Sequence, residues 1–210
     1  MSIKGCDISH FNYPFPWANL SPDIKFVYCK AVQGATNKDP HFNEYWQHLK
    51  TTTLLRGAYI FWDCQATAQQ HWDNVASLGI DFSKSGVLPL VLDLENQATP
   101  DLDKWVVHNS AQCIKSITDL LNLIKTNTGR KPMIYTYANY LKEYLAGHSW
   151  PDCYLWLADY DGTAPTQHYD FWQNSEKGTM SGKLTGGSLD LDVFNGDINA
   201  LNAISNNVTA

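Results

Sequence analysis

Seven short apolar runs punctuate the chain: Ile3–Ser9, Lys25–Ala31, Leu55–Trp62, Leu88–Glu95, Pro132–Tyr137, Cys153–Tyr160 and Asp170–Asn174. Several are nearly continuous in hydrophobic residues, the pattern of parallel strands covered on both faces. Between them the spacing of apolar positions lengthens. Phe42, Tyr45, Trp46 and Leu49 fall at i, i+3, i+4 and i+7, one face of a helix. A longer helix is predicted from Pro100 to Thr128. Thr99 suits its N-cap, Pro100 its first turn, and Asp101 and Asp103 the positive end of its dipole. Its apolar stripe runs Leu102, Trp105, Val106, Cys113, Ile117, Leu120, Leu121 and Ile124, and Gly129 terminates it. Strands alternating with helices imply a parallel sheet. The last three segments, Asp152–Tyr160, Tyr169–Ser175 and Thr179–Phe194, are instead separated by Gly-rich turns. An α/β barrel with a strand-rich C-terminal third therefore fits better than a doubly wound sheet.

Composition narrows the class. A chain of 210 residues matches one domain, and no linker or internal repeat divides it, so residues 1–210 are expected to form a single unit. Only 17% of residues are charged while 13% are aromatic, which excludes a disordered chain and supports a sizeable core. The 15 basic and 21 acidic residues give a net charge of −6, opposite to the basic face that binding duplex nucleic acid requires. No run of 18 apolar residues offers a membrane span, and Met1–His10 lacks the basic and apolar stretches of a secretory signal. Cys6, Cys29, Cys64, Cys113 and Cys153 lie far apart, as reduced core thiols do rather than a disulfide framework. The seven histidines show no metal-binding spacing, and no glycine-rich phosphate loop follows a strand. Neither a metal nor another cofactor is expected.

The anomaly is acid at the ends of apolar strands. Asp93 and Glu95 close the run Leu88-Pro-Leu-Val-Leu-Asp-Leu-Glu. Residues two apart in a strand share a face, so these two carboxylates would project together with Cα atoms roughly 6–7 Å apart. Like charges that close at the edge of an apolar environment push one pKa upward. A protonated carboxyl beside an ionised one is what cleavage of a glycosidic bond requires. Such a pair also caps helices or binds Lys and Arg in many folds. Asp7 and Asp190 lie at predicted strand ends too, and the carboxyl ends of the strands form the active face of an α/β barrel. Tyr59, Tyr135, Trp156 and Trp172 occupy comparable positions, where aromatic faces suit sugar rings, although buried aromatics more often serve the core.

These blocks, taken in order, resemble glycoside hydrolase family 25 lysozymes, the muramidases found in phage endolysins and some bacterial and fungal enzymes. Gly5-Cys-Asp7-Ile-Ser9 resembles the family's opening G-x-D-[IV]-S. Phe26-Val-Tyr-Cys-Lys-Ala-Val-Gln-Gly34 with Asp39-Pro40-His-Phe42 resembles F-[VI]-x-x-K-A-[TS]-E-G…D-P-x-F. Arg56-Gly-Ala-Tyr59-Ile-Phe61 resembles G-x-Y-H-F, and Leu88–Glu95 resembles L-P-x-x-L-D-x-E. Ile134-Tyr135-Thr136, Leu155–Tyr160, Trp172-Gln173 and Leu189–Gly196 resemble the later blocks, so the match covers nearly the whole chain.

The resemblance implies an irregular, flattened β/α barrel (TIM-like) and hydrolysis of peptidoglycan between N-acetylmuramic acid and N-acetylglucosamine. It casts Glu95 as general acid and Asp93 as the group that orients the substrate acetamide or stabilises oxocarbenium charge. Asp7 and Asp190 would tune the pair, and Tyr59 and Tyr135 would hydrogen-bond the reacting sugar. Gln33, at a position usually occupied by Glu, and Ile60, where His is common, depart from the pattern; an amide keeps hydrogen bonding but loses charge. A non-catalytic glycan-binding barrel and a hydrolase of another amino-sugar polymer such as chitin are the competing readings. With the barrel consuming the chain, no separate wall-binding module is expected. The expectation is a monomer made in the cytoplasm, as a phage endolysin is, and acting on the cell wall, with secretion as the alternative.

Overall fold

Alternate residues of the strands face two different interiors, and that division builds the molecule. The computed structural model describes residues 2–180 and 187–206. Its strands are β1 (Ile3–Ile8), β2 (Ile24–Gln33), β3 (Asn37–Lys38), β4 (Leu55–Phe61), β5 (Val91–Asp93), β6 (Met133–Tyr137), β7 (Tyr154–Ala158), β8 (Phe171–Gly178) and β9 (Leu189–Phe194). The helices are α1 (Phe42–Lys50), α2 (Ala68–Ala76), α3 (Pro100–His108), α4 (Ser110–Thr128), α5 (Tyr140–Tyr144) and α6 (Ile198–Asn206). In the sheet the order is β1-β9-β8-β7-β6-β5-β4-β2-β3, and β1 also pairs with β2, which closes eight strands into a barrel and leaves β3 outside as a short hairpin partner of β2. Barrel neighbours are parallel except β9, which runs antiparallel to both β8 and β1, and β3 outside the barrel runs antiparallel to β2. The strand-rich C-terminal third is this closing hairpin; of the expected segment Thr179–Phe194, residues 181–186 lie outside the described residues.

Inside the barrel, Phe26, Tyr28, Val91, Met133, Trp156, Phe171 and Phe194 pack against one another and against Leu201 of α6. The rings of Tyr28 and Trp156 lie 4.9 Å apart and those of Phe26 and Phe171 5.3 Å apart. Two glycines make room for them. A Cβ on Gly5 would lie 2.2 Å from the Phe26 ring, and one on Gly57 would lie 2.0 Å from the Tyr28 ring. The intervening residues, among them Val27, Cys29, Ile60, Leu92 and Ile134, form a second core with the apolar faces of α1 and α4. At the end of the barrel where the parallel strands begin, buried Arg130 donates to the carbonyls of Val87, Lys84 and Ile204, tying the chain before β5 to α6.

The single long helix expected over Pro100–Thr128 is two helices. Asn109 leaves helical geometry (φ −113°, ψ 28°) and its side-chain amide donates to the Trp105 carbonyl. A short amide side chain that competes for backbone partners breaks the ladder in this way. Trp105 is consequently partly exposed rather than part of the core stripe. Gly129 does close α4, in left-handed conformation. The run Leu88–Glu95 forms strand only over Val91–Asp93: Pro89 lacks the N–H a ladder needs, and Glu95 lies beyond the last pair.

Candidate active site

The parallel strands deliver their last inward-facing residues to one end of the barrel, and β9, running the opposite way, delivers its first. Asp7 of β1, Tyr59 of β4, Asp93 of β5, Tyr135 of β6 and Asp190 of β9 thus meet around a cavity of about 220 Å³, joined by Glu95 just past β5. Trp156 contributes the wall that continues into the aromatic core, and Gln173 and Glu176 of β8 and Tyr160 complete it. Asp7 and Asp190 are directly paired across β1 and β9.

A single amide organises one side. Tyr135 and Tyr160 both donate their hydroxyl protons to Gln173 Oε1, the former at 2.7 Å. That leaves the Gln173 Nε2 group to donate to Asp7 Oδ2, also at 2.7 Å. Below, buried Asp192 accepts a bond from the Trp156 indole at 3.1 Å and fixes its ring.

The cavity is strongly biased toward protonated carboxyls. Burial and the Asp190 charge push Asp7 well up, against the opposing pull of the Gln173 bond. Burial, then the charge of Glu95, push Asp93 well up, and Lys30 of β2 acts in the other direction. Glu95 is raised by burial and by Asp190, with Lys30 and a hydrogen bond from Asp93 restraining the rise. Asp190 is pushed up to about 6 by burial and by Glu176. Burial also raises Asp192. Burial thus favours the protonated form of both members of the Asp93–Glu95 pair, and the charge of Glu95 adds to the rise at Asp93. One oxygen of Asp93, Oδ1, is buried without a hydrogen-bond partner.

A barrel with two adjacent acidic groups at the carboxyl end of its fifth strand matches known proteins along its whole length. The glycosyl hydrolases family 25 pattern matches residues 6–183. The chain belongs to that family. Lysozyme M1 of Streptomyces globisporus is 30% identical over 219 residues, covering 98% of this chain and 72% of that protein. N,O-diacetylmuramidase of Chalaropsis sp is 29% identical over 142 residues, covering 64% and 66%. Among solved structures, the lysozyme of Streptomyces coelicolor superposes with a TM-score of 0.87 at 28% identity, covering 100% of this chain and 99% of that one. The family GH25 lysozyme of Aspergillus fumigatus gives 0.81 at 27%, covering 99% and 100%.

In this family 25 hydrolase, seven of the residues singled out from the sequence line one cavity: Asp7, Tyr59, Asp93, Glu95, Tyr135, Trp156 and Asp190. Two do not. Trp172 faces away, because its neighbours Phe171 and Gln173 take the inward positions of β8; its indole donates to the Asp159 carbonyl at 2.7 Å. Gln33 ends β2 away from the lining and accepts from Lys30 Nζ at 3.2 Å. Ile60, the other departure, is fully buried in the outer core. The sequence reading missed Gln173, Tyr160, Glu176 and Asp192. The alternation Leu189-Asp-Leu-Asp192 already placed Asp192 on the face of Asp190, and the same two-residue period from Phe171 pointed to Gln173 rather than Trp172. Among the described residues, no group of three His, Cys, Asp or Glu side chains is arranged to hold a metal ion.

Proposed function

We propose that this chain is a muramidase that cleaves the β-1,4 bond between N-acetylmuramic acid and N-acetylglucosamine in peptidoglycan, with Glu95 as general acid. The observation that carries this is the meeting of the Asp93 and Glu95 carboxyls, both raised by burial, in one cavity walled by tyrosines and Trp156. The names of the relatives, a lysozyme and a diacetylmuramidase, support the same substrate.

The Asp93 carboxyl, which lines the cavity, suits the acetamido N–H of the sugar whose bond is cut. A donor bonded to a carboxylate stabilises its charged form and lowers its pKa. Substrate binding thereby favours ionised Asp93, whose charge helps Glu95 keep its proton until the glycosidic oxygen takes it as the bond breaks. The acetamide oxygen, oriented by Asp93, attacks the anomeric carbon and forms an oxazolinium, and ionised Asp93 offsets its charge. Water activated by Glu95 then opens that intermediate and returns the proton to Glu95, with retention at the anomeric carbon. Tyr59 and Tyr135 hold the sugar, and Asp7 and Asp190 set the local potential. The described residues form one catalytic barrel acting as a monomer.

All five cysteines are unpaired and no described helix is long and apolar enough to cross a membrane. Unpaired thiols favour synthesis in a reducing compartment followed by release to the wall, as for an endolysin.

The test is digestion of purified peptidoglycan by wild type and Glu95→Gln, with mass analysis of reducing ends. Muramic acid ends from wild type and none from a folded variant are expected. Glucosamine ends would change the bond assigned. Chitin fragments instead of wall fragments would change the polymer. Binding without any product would make the barrel a glycan-binding module.

A further inference from the structure

Lys30 acts through its charge on both reactive carboxyls, and its setting leaves that charge without an ion-pair partner among the described residues. It pairs with Tyr59 across β2 and β4, one of the aromatic residues lining the cavity. Its ammonium donates to the neutral amide of Gln33 at 3.2 Å and lies 4.5 Å from the centre of the Phe61 ring. Among the described residues no carboxylate oxygen lies within ion-pair distance of Lys30. An amide and a ring face hold an ammonium in place without neutralising it. A carboxylate at position 33 would neutralise it.

We propose that Gln33 is a positioning residue that holds Lys30, in register with the cavity residue Tyr59, as a cation without an ion-pair partner, and so sets the pH range in which Asp93 and Glu95 work. This rests on the muramidase reading of the site. The field of Lys30 opposes everything else that faces the pair: Asp7 from β1, Asp190 from β9 and Glu176 from β8 are acidic, and Tyr59, Tyr135 and Tyr160 are neutral phenols. Without Lys30 the two carboxyls would hold their protons to higher pH, and Asp93 would ionise less readily when substrate arrives.

Gln33→Glu and Lys30→Met remove the field in two different ways and carry the same sign. Each is expected to move the kcat/KM profile on purified peptidoglycan toward alkaline pH by roughly one unit, a tenfold change in proton affinity. Lys30→Arg keeps the charge and is expected to keep the wild-type profile. A second readout needs no turnover: the Glu95 side-chain carboxyl, followed by carbon NMR in the ligand-free protein, is expected to titrate higher in Gln33→Glu and Lys30→Met. Profiles and Glu95 titrations that overlay wild type in folded Gln33→Glu and Lys30→Met overturn the proposal. If wild type releases no sugar ends while the Glu95 titration still moves, the muramidase reading fails and the electrostatic role of Gln33 and Lys30 stands.

Discussion

Asp190 shows how much folding asks of a single carboxyl at this site. Its pKa rises from 3.8 to about 6, so the folded protein binds its proton more tightly than the unfolded chain does. For a raised carboxyl, ionisation costs stability. The cost is absent below the unfolded value, grows as pH passes from 3.8 to about 6, and is constant above that window. Asp190→Asn is therefore expected to stabilise the fold near pH 7 by up to about 3 kcal/mol and to change it little near pH 3. Urea denaturation at the two pH values checks the sign, and an equal gain at both would refute the electrostatic cause. Glu95→Gln has a different signature: kcat should fall by about 10²- to 10⁴-fold, the usual contribution of a positioned acid, with the melting temperature unchanged or raised. Asp7, Asp93, Glu95 and Asp190 were legible because charge interrupts apolar runs. Gln173 was not, since a glutamine beside a tryptophan carries no such contrast, although it links Asp7 to two tyrosines.

At the scale of elements, period two in the strands and period three to four in the helices revealed the alternation and the barrel, but not where ladders stop. Leu88–Glu95 reads as eight residues of strand and forms three, because Pro89 withholds a donor and the chain turns away after Asp93. The Asn109 break depends on one side-chain bond, too local to disturb the hydrophobic period. Trp172 was misplaced by one residue, which in a strand exchanges the two faces. The large rings of β2 were legible as core, whereas the glycines that admit them were not, because that need arises only when β1, β2 and β4 lie side by side. Gly57→Ala tests this close approach. Its Cβ would meet the Tyr28 ring at 2.0 Å, and Tyr28 packs on Trp156 at the cavity wall. Overpacking there is expected to cost about 1–3 kcal/mol in a urea melt. Displacing Trp156 should also raise KM.

On the scale of the whole molecule, charge bears on how the enzyme meets its substrate. The chain carries −6 overall, and the cavity mouth adds Glu176 and Asp190 to the acidic groups within. Nothing in that field attracts a negatively charged wall, so encounter with anionic cells is opposed at long range. Added salt shortens the reach of this repulsion, from about 30 Å at 0.01 M to about 8 Å at 0.15 M. The buried Asp93–Glu95 pair and Lys30 are screened far less, so the chemical step should respond little over the same range. Lysis of intact, anionic cells is accordingly expected to accelerate several-fold between about 10 and 150 mM salt. Hydrolysis of a short, uncharged glycan fragment should stay nearly constant. Parallel rate measurements on the two substrates separate encounter from catalysis. Equal salt dependence on both would place the effect inside the cavity, and slower lysis with added salt would mean that attraction, not repulsion, brings enzyme and wall together.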